Sequence, residues 1–176
     1  MRYVIVCVVK GIAGYFNENL RKEIWNKFKA KSSKLPAHFT IKAPFEFEGS
    51  INDLEELFQE FCAEEKAEPF KLSGYEHFND RVIYMKVLMP LEGKRMHDRL
   101  IEKMIQIPYL DFSKKDGKDK IFHVTVASKN IQSKYNEVWN FVNLTPCEFD
   151  CFFDNISIFR WEENTWKLHN EFILHR

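Results

Sequence analysis

The chain has 176 residues, of which 45% are apolar and 17 are phenylalanine, and its 26 basic side chains are matched by 26 acidic ones. That length suits one compact domain, or two small lobes sharing a core, and such an aromatic content excludes a disordered chain. A formal net charge of zero excludes a global field that would draw the protein onto a long polyanion such as duplex DNA, so any nucleic-acid contact has to be local.

Residues 3–9 are rich in β-branched side chains and read as a buried strand. The run is too short to span a membrane and no small-residue cleavage site follows it, so the expected location is the cytoplasm, with no membrane partner. Gly11 and Gly14 then predict a flexible loop. Leu20, Ile24, Trp25 and Phe28 recur at helical spacing, and Pro36 closes the connection to a strand beginning at His38. After that segment Pro44 and Gly49 bound a short strand, and Ser50 or Asn52 is placed to cap a helix carrying Leu54, Leu57, Phe58 and Phe61. A strand over 70–77 ends this half.

The same signals then recur. A strand over 82–88 leads through Pro90 into a helix striped by Met96, Leu100, Ile101, Met104 and Ile105. The mixed-charge stretch 114–120 reads as a mobile loop, followed by a strand over 121–127, a helix carrying Tyr135, Val138, Trp139 and Val142, and a strand over 148–153. Residues 156–161 and 166–174 form a hairpin that extends one sheet. The element order therefore duplicates, with approximate halves 1–80 and 81–153 and a C-terminal hairpin over 154–176 in a single bilobal domain. Cys7, Cys62, Cys147 and Cys151 lack Cys-x-x-Cys spacing and read as small buried hydrophobes. His77, His97, His169 and His175 share no ligand spacing and are expected on polar surface, with no metal site.

The chemistry is carried by His38-Phe39-Thr40-Ile41 and His123-Val124-Thr125-Val126. On a strand His and Thr two places apart project to one face, while the intervening apolar residues enter the core. With four threonines in the chain, two such pairs among six histidines arise by chance less than roughly once in a hundred sequences. Facing each other across a pseudo-twofold axis, the motifs would set two imidazoles and two hydroxyls around one point. Cleavage of a cyclic phosphodiester needs that set: a base for the attacking water, an acid for the departing oxygen, and donors for the non-bridging oxygens. Histidine titrates near neutrality, so one neutral and one protonated ring can coexist, and neither metal nor cofactor is required.

His38-Phe39-Thr40-Ile41-Lys42-Ala43-Pro44-Phe45 and His123-Val124-Thr125-Val126 resemble the two-histidine (2H) phosphoesterase superfamily, which includes the bacterial 2′,5′ RNA ligase-like proteins and cyclic phosphodiesterases. Residues 166–174 are similar to that family's closing strand, and the element order agrees along essentially the whole chain. The resemblance implies an α+β fold of two antiparallel β-sheets with flanking helices around a central cleft, and action on RNA ends or cyclic nucleotides; a monomer is the separate expectation. It implies His38 and His123 as the acid/base pair, without deciding which is which, and Thr40 and Thr125 as phosphate holders. Relatives often carry an Arg soon after the second motif, where this chain has Ala127-Ser128-Lys129. Lys42, Lys129 and Arg160 are the candidates to supply that charge, and Phe45 is a candidate to stack on a base. A non-catalytic RNA-end or nucleotide-binding module, and an interaction protein with purely structural histidines, are the competing readings.

Overall fold

The computed structural model describes residues 1–113 and 116–176, so Lys114 and Lys115 of the charged loop lie outside the described residues. In chain order the elements are β1 (Arg2–Val8), α1 (Gly11–Phe28), β2 (His38–Glu46), α2 (Asn52–Glu64), β3 (Glu68–Phe78), β4 (Val82–Leu88), α3 (Leu91–Met104), β5 (His123–Ala127), α4 (Tyr135–Asn143), β6 (Glu148–Phe153), β7 (Asn155–Glu162) and β8 (Thr165–Ile173). The duplicated order is therefore strand, helix, motif strand, helix, strand in both halves.

The described strands make two four-stranded sheets, ordered β2-β1-β7-β8 and β5-β4-β3-β6, with every neighbouring pair antiparallel. Each sheet reads from a motif-bearing edge strand inward to the strand that precedes it in sequence, which is the pseudo-twofold relation. The sequence halves interlock. β3, the last strand of the first half, is built into the second sheet between β4 and β6, while the hairpin β7–β8 completes the first. A chain cut at residue 80 would sever the β3–β4 hairpin, so neither half holds a complete lobe.

The larger of two hydrophobic clusters among the described residues joins the sheets and helices, and the smaller gathers Val4, Val6, Leu35 and Phe159 on the other face of β1. Phe39, flanked by the first motif's His and Thr, sits at the centre of the larger with its ring edge-on to Phe70, Phe122 and Phe153 at centroid distances of 5.7, 5.2 and 5.0 Å. Such perpendicular pairs set positive ring edges against negative faces and hold the strands of both sheets to one centre.

Three expectations are corrected. Gly11 and Gly14 do not form a loop but open α1, and a Cβ at Gly14 would lie 2.4 Å from the Val9 carbonyl oxygen, so glycine allows the helix to start tight against the end of β1. Trp25 does not join the apolar stripe; Ala13, Asn17, Leu20 and Ile24 turn inward at helical spacing, leaving the Trp25 ring 39% exposed about 100° round the helix from Ile24. His97 is not on the surface, because it lies within the buried stripe of α3 beside Met96, Leu100 and Ile101, at 1% exposure. The four cysteines are free and buried.

Candidate active site

Each His-x-Thr motif opens an edge strand, β2 in one sheet and β5 in the other, and these edges pack against each other. Beside them the lobes are joined by backbone: the Lys31 amide donates to the Lys129 carbonyl at 2.8 Å, and the Lys129 amide returns a bond of 2.9 Å to Lys31. Strand alternation works as the sequence demands. Phe39, Ile41, Val124 and Val126 are buried, while His38, Thr40, His123 and Thr125 remain half-buried on the opposite face.

The two rings are held in the same way. His38 Nδ1 lies 2.6 Å from the Pro36 carbonyl oxygen, and His123 Nδ1 lies 3.0 Å from the Ile121 carbonyl oxygen, two residues back in both motifs. A carbonyl only accepts, so Nδ1 carries the proton and donates in both rings. Each neutral imidazole is left with its lone pair on Nε2, and among the described residues neither Nε2 makes a hydrogen bond. Burial pushes His38 down to about 4, against the Pro36 hydrogen bond and aided by the charges of Arg21 and His123. Burial likewise lowers His123, against its bond to Ile121 and aided by Lys120.

Two buried asparagines brace these strands. Asn155 grips Val8, the β1 partner of His38, accepting from its amide and donating to its carbonyl, both at 2.9 Å. On the other side Asn17 of α1 donates from Nδ2 to the Thr125 carbonyl at 3.2 Å. Neither was picked out by sequence reasoning, since a lone Asn in a strand or helix carries no signal of its own burial.

Register supplies further residues. Residues directly opposite in an antiparallel pair share a face, and β4 sets Lys86 opposite His123 and Tyr84 opposite Thr125. The Tyr84 and Phe78 rings both lie 5.2 Å from the His123 ring, and Lys86 reaches Glu76 at 3.6 Å. Sequence reasoning passed over Tyr84, Lys86 and Phe78. The period-2 spacing of Tyr84 and Lys86 was visible, but not which strand they would adjoin.

The other candidates are placed differently. A register shift between Ile5 and Val6 sets Lys42 opposite Ile5, on the core face, instead of beside Thr40. Its side chain is accordingly buried and pairs with Asp116 at 3.3 Å. Burial tends to raise the Asp116 carboxyl, but hydrogen bonds from Ala43 and Ser113 and the charge of Lys42 together hold it below the usual carboxylate range. Phe45 pairs with Tyr3 and stacks on its ring at 5.7 Å, also on the core face. Arg160 lies opposite Tyr3 on that same face, 2.9 Å from Glu162. The structure thus turns Lys42, Phe45 and Arg160 away from the histidines. Lys129 is exposed at the inter-lobe bridge, just beyond β5.

Two grooves flank the motifs. One, of about 620 Å³, is walled by Glu76, Tyr84, Lys86, His97, Lys120 and Ile121, whose carbonyl holds His123. The Lys120 amine there bonds to the Ile41 carbonyl at 3.2 Å and is pushed down to about 8 by burial. The other, of about 740 Å³, is walled by Arg21, Trp25, Lys31, Lys34 and Pro36, whose carbonyl holds His38. Among the described residues no group of three or more His, Cys, Asp or Glu side chains is placed to hold a metal, and no helix is long and apolar enough to cross a membrane.

A family model described as the 2′-5′ RNA ligase superfamily matches residues 17–165. Among solved structures, TT0787 of Thermus thermophilus superposes with a TM-score of 0.67 at 14% identity, covering 99% of this chain and 98% of that one. LigT of E. coli, solved in complex with 3′-AMP, gives 0.66 at 11% identity over 99% and 98% of the two chains. Usb1 of Kluyveromyces marxianus gives 0.52 at 12% identity over 99% and 97%. At these identities the likeness is one of fold. No curated protein sequence matches the chain.

Proposed function

The chain belongs to the 2′-5′ RNA ligase superfamily, and from that premise we propose that it hydrolyses 2′,3′-cyclic phosphodiesters at RNA ends or on nucleotides, with His38 and His123 as its acid/base pair. The observation that carries the reading is the matched anchoring of the two rings, which frees both Nε2 atoms on facing edge strands.

His38, pushed down to about 4, is neutral across the physiological range and takes the proton of the attacking water at Nε2. As the new P–O bond forms, a ribose oxygen leaves, and protonated His123 donates to it, yielding a terminal phosphomonoester. Bound phosphate supplies the negative charge that favours the imidazolium of His123 over its neutral form. Thr40 and Thr125 donate their hydroxyls to the non-bridging oxygens, where charge accumulates. Lys86, opposite His123, brings a cation to that face in place of the arginine this chain lacks. The chemistry is complete without a metal or other cofactor. With a 5′-hydroxyl in place of water, the same pair would form a 2′,5′ linkage.

The test is turnover of a 2′,3′-cyclic nucleotide. His38→Ala and His123→Ala should each lose about 10²–10⁴-fold in kcat, the usual contribution of a positioned acid or base. Full activity in both variants overturns the proposal. A binding module that keeps the pocket without turnover is favoured by one observation, the placement of Lys42 and Arg160 away from the cleft. Turnover above the His38→Ala control excludes it.

A further inference from the structure

The charges of the chain cancel in sum but not in place. Between residues 21 and 34 stand six cations, Arg21, Lys22, Lys27, Lys29, Lys31 and Lys34, against the single carboxylate of Glu23. Arg21, Lys22, Lys31 and Lys34 line the groove between α1 and the segment leading into β2, with Glu18 as the one carboxylate in its wall. Arg21 builds this groove, donating to the Leu35 carbonyl at 3.0 Å and to the Ser33 carbonyl. The five lysines, in contrast, make no salt bridge among the described residues, so cations outnumber the carboxylates of Glu18 and Glu23 along this face.

The groove also holds an aromatic platform. Trp25 is 39% exposed, and the Lys31 and Lys29 ammonium groups stand 4.3 and 5.2 Å from its ring centre. An exposed cation–π contact is weaker than the stacking of a base on indole. A base arriving at Trp25 would therefore displace the lysines, which are then free to meet the flanking phosphates. Lys34 extends the pattern, standing 5.5 Å from the Trp161 ring. The groove reaches Pro36, whose carbonyl anchors His38, so a chain lying in it leads to the first motif.

We propose that this groove binds the single-stranded RNA chain whose terminal phosphate lies between the two histidines. Single strands fit because their bases are open to stacking while their phosphates remain regularly spaced, whereas a duplex presents no free base face. The proposal rests on the phosphodiesterase reading and deepens it, making an oligonucleotide rather than a free cyclic nucleotide the preferred substrate.

The experiment compares kcat/KM for a hexaribonucleotide ending in 2′,3′-cyclic phosphate with that for a 2′,3′-cyclic mononucleotide. The wild-type protein, Trp25→Ala and the Lys31→Glu/Lys34→Glu double variant are the samples. The oligonucleotide-to-mononucleotide ratio should exceed one in the wild type and fall about tenfold in each variant, the size of one lost base stack. In the double variant the slope of log kcat/KM for the oligonucleotide against log salt should shrink by about 1–2. A ratio that stays constant across the three proteins overturns the proposal. If the wild type turns over neither substrate, the reading of the histidines fails, and the groove is judged by fluorescence anisotropy with a 5′-labelled hexamer bearing a 3′-phosphate. Weaker binding in both variants then supports the groove, and unchanged or absent binding overturns it. Unfolding temperatures matching the wild type show that the variants are folded, as expected for half-buried and exposed side chains.

Discussion

His97 makes acid a destabilising condition for this protein. Its ring packs edge-on against Phe122 at 4.9 Å within the buried face of α3, its Nε2 has no hydrogen-bond partner among the described residues, and burial, aided by the charge of Lys120, pushes its pKa down to about 3. In the unfolded chain the same group titrates near 6.5, so between these values the unfolded state binds the extra proton and stability rises with pH. The contribution is complete above about pH 6.5 and is lost as pH falls below it. At 1.36 kcal/mol per pKa unit, going from pH 7 to pH 5 costs about 2 kcal/mol from this one side chain, or about 4–8 °C in Tm for a domain of this size. The Asp98 carboxylate, 3.6 Å from Nδ1, opposes the effect, so 2 kcal/mol is its ceiling. The assay is urea unfolding at pH 7 and pH 5 for the wild type and for His97→Leu, which keeps an apolar side chain in place but cannot titrate. The wild type should lose about 2 kcal/mol more than the variant over that interval. Equal losses would refute the reasoning, because they would show that His97 takes up its proton without leaving the core.

Phe39→Ala removes a fully buried ring touching three others and should cost about 3–5 kcal/mol by chemical denaturation; a loss below 1 kcal/mol would mean that the two sheets are not held together there. Asp116→Ala strands the buried Lys42 ammonium and should cost about 3–5 kcal/mol, whereas Lys42→Met/Asp116→Leu should recover most of it. An equally unstable double variant would assign the cost to packing instead of charge. On the proposed mechanism, kcat/KM falls as pH drops through about 4, where His38 gains a proton, and falls about tenfold per pH unit above about 6.5, because His123 titrates below its ordinary value and loses the proton it must donate. A plateau from pH 7 to pH 9 would contradict that assignment of roles.

The elements were legible because their cause is local. Strand 82–88, strand 148–153 and the inward turn of Phe39, Ile41, Val124 and Val126 follow from side-chain periodicity along a few residues. Local reasoning failed where one residue's neighbours lie far away in sequence. Gly11 and Gly14 read as a loop because the Val9 carbonyl pressing on Gly14 cannot be inferred from glycine spacing. His97 read as surface because a polar residue on a helix gives no notice of the face it occupies.

The sequence by itself determined the alternation that presents His38 with Thr40 and His123 with Thr125, and the duplicated order that sets both motifs on corresponding strands. Only the tertiary structure decided what stands beside them. A one-residue shift in the β1–β2 register sends Lys42 into the core, the pairing of β7 with β1 turns Arg160 to the opposite face, and the pairing of β4 with β5 brings Tyr84 and Lys86 alongside the second motif. The physical reason is that side-chain direction along a strand repeats every two residues and is written in the strand itself, whereas register between strands is set by the packing of the whole sheet.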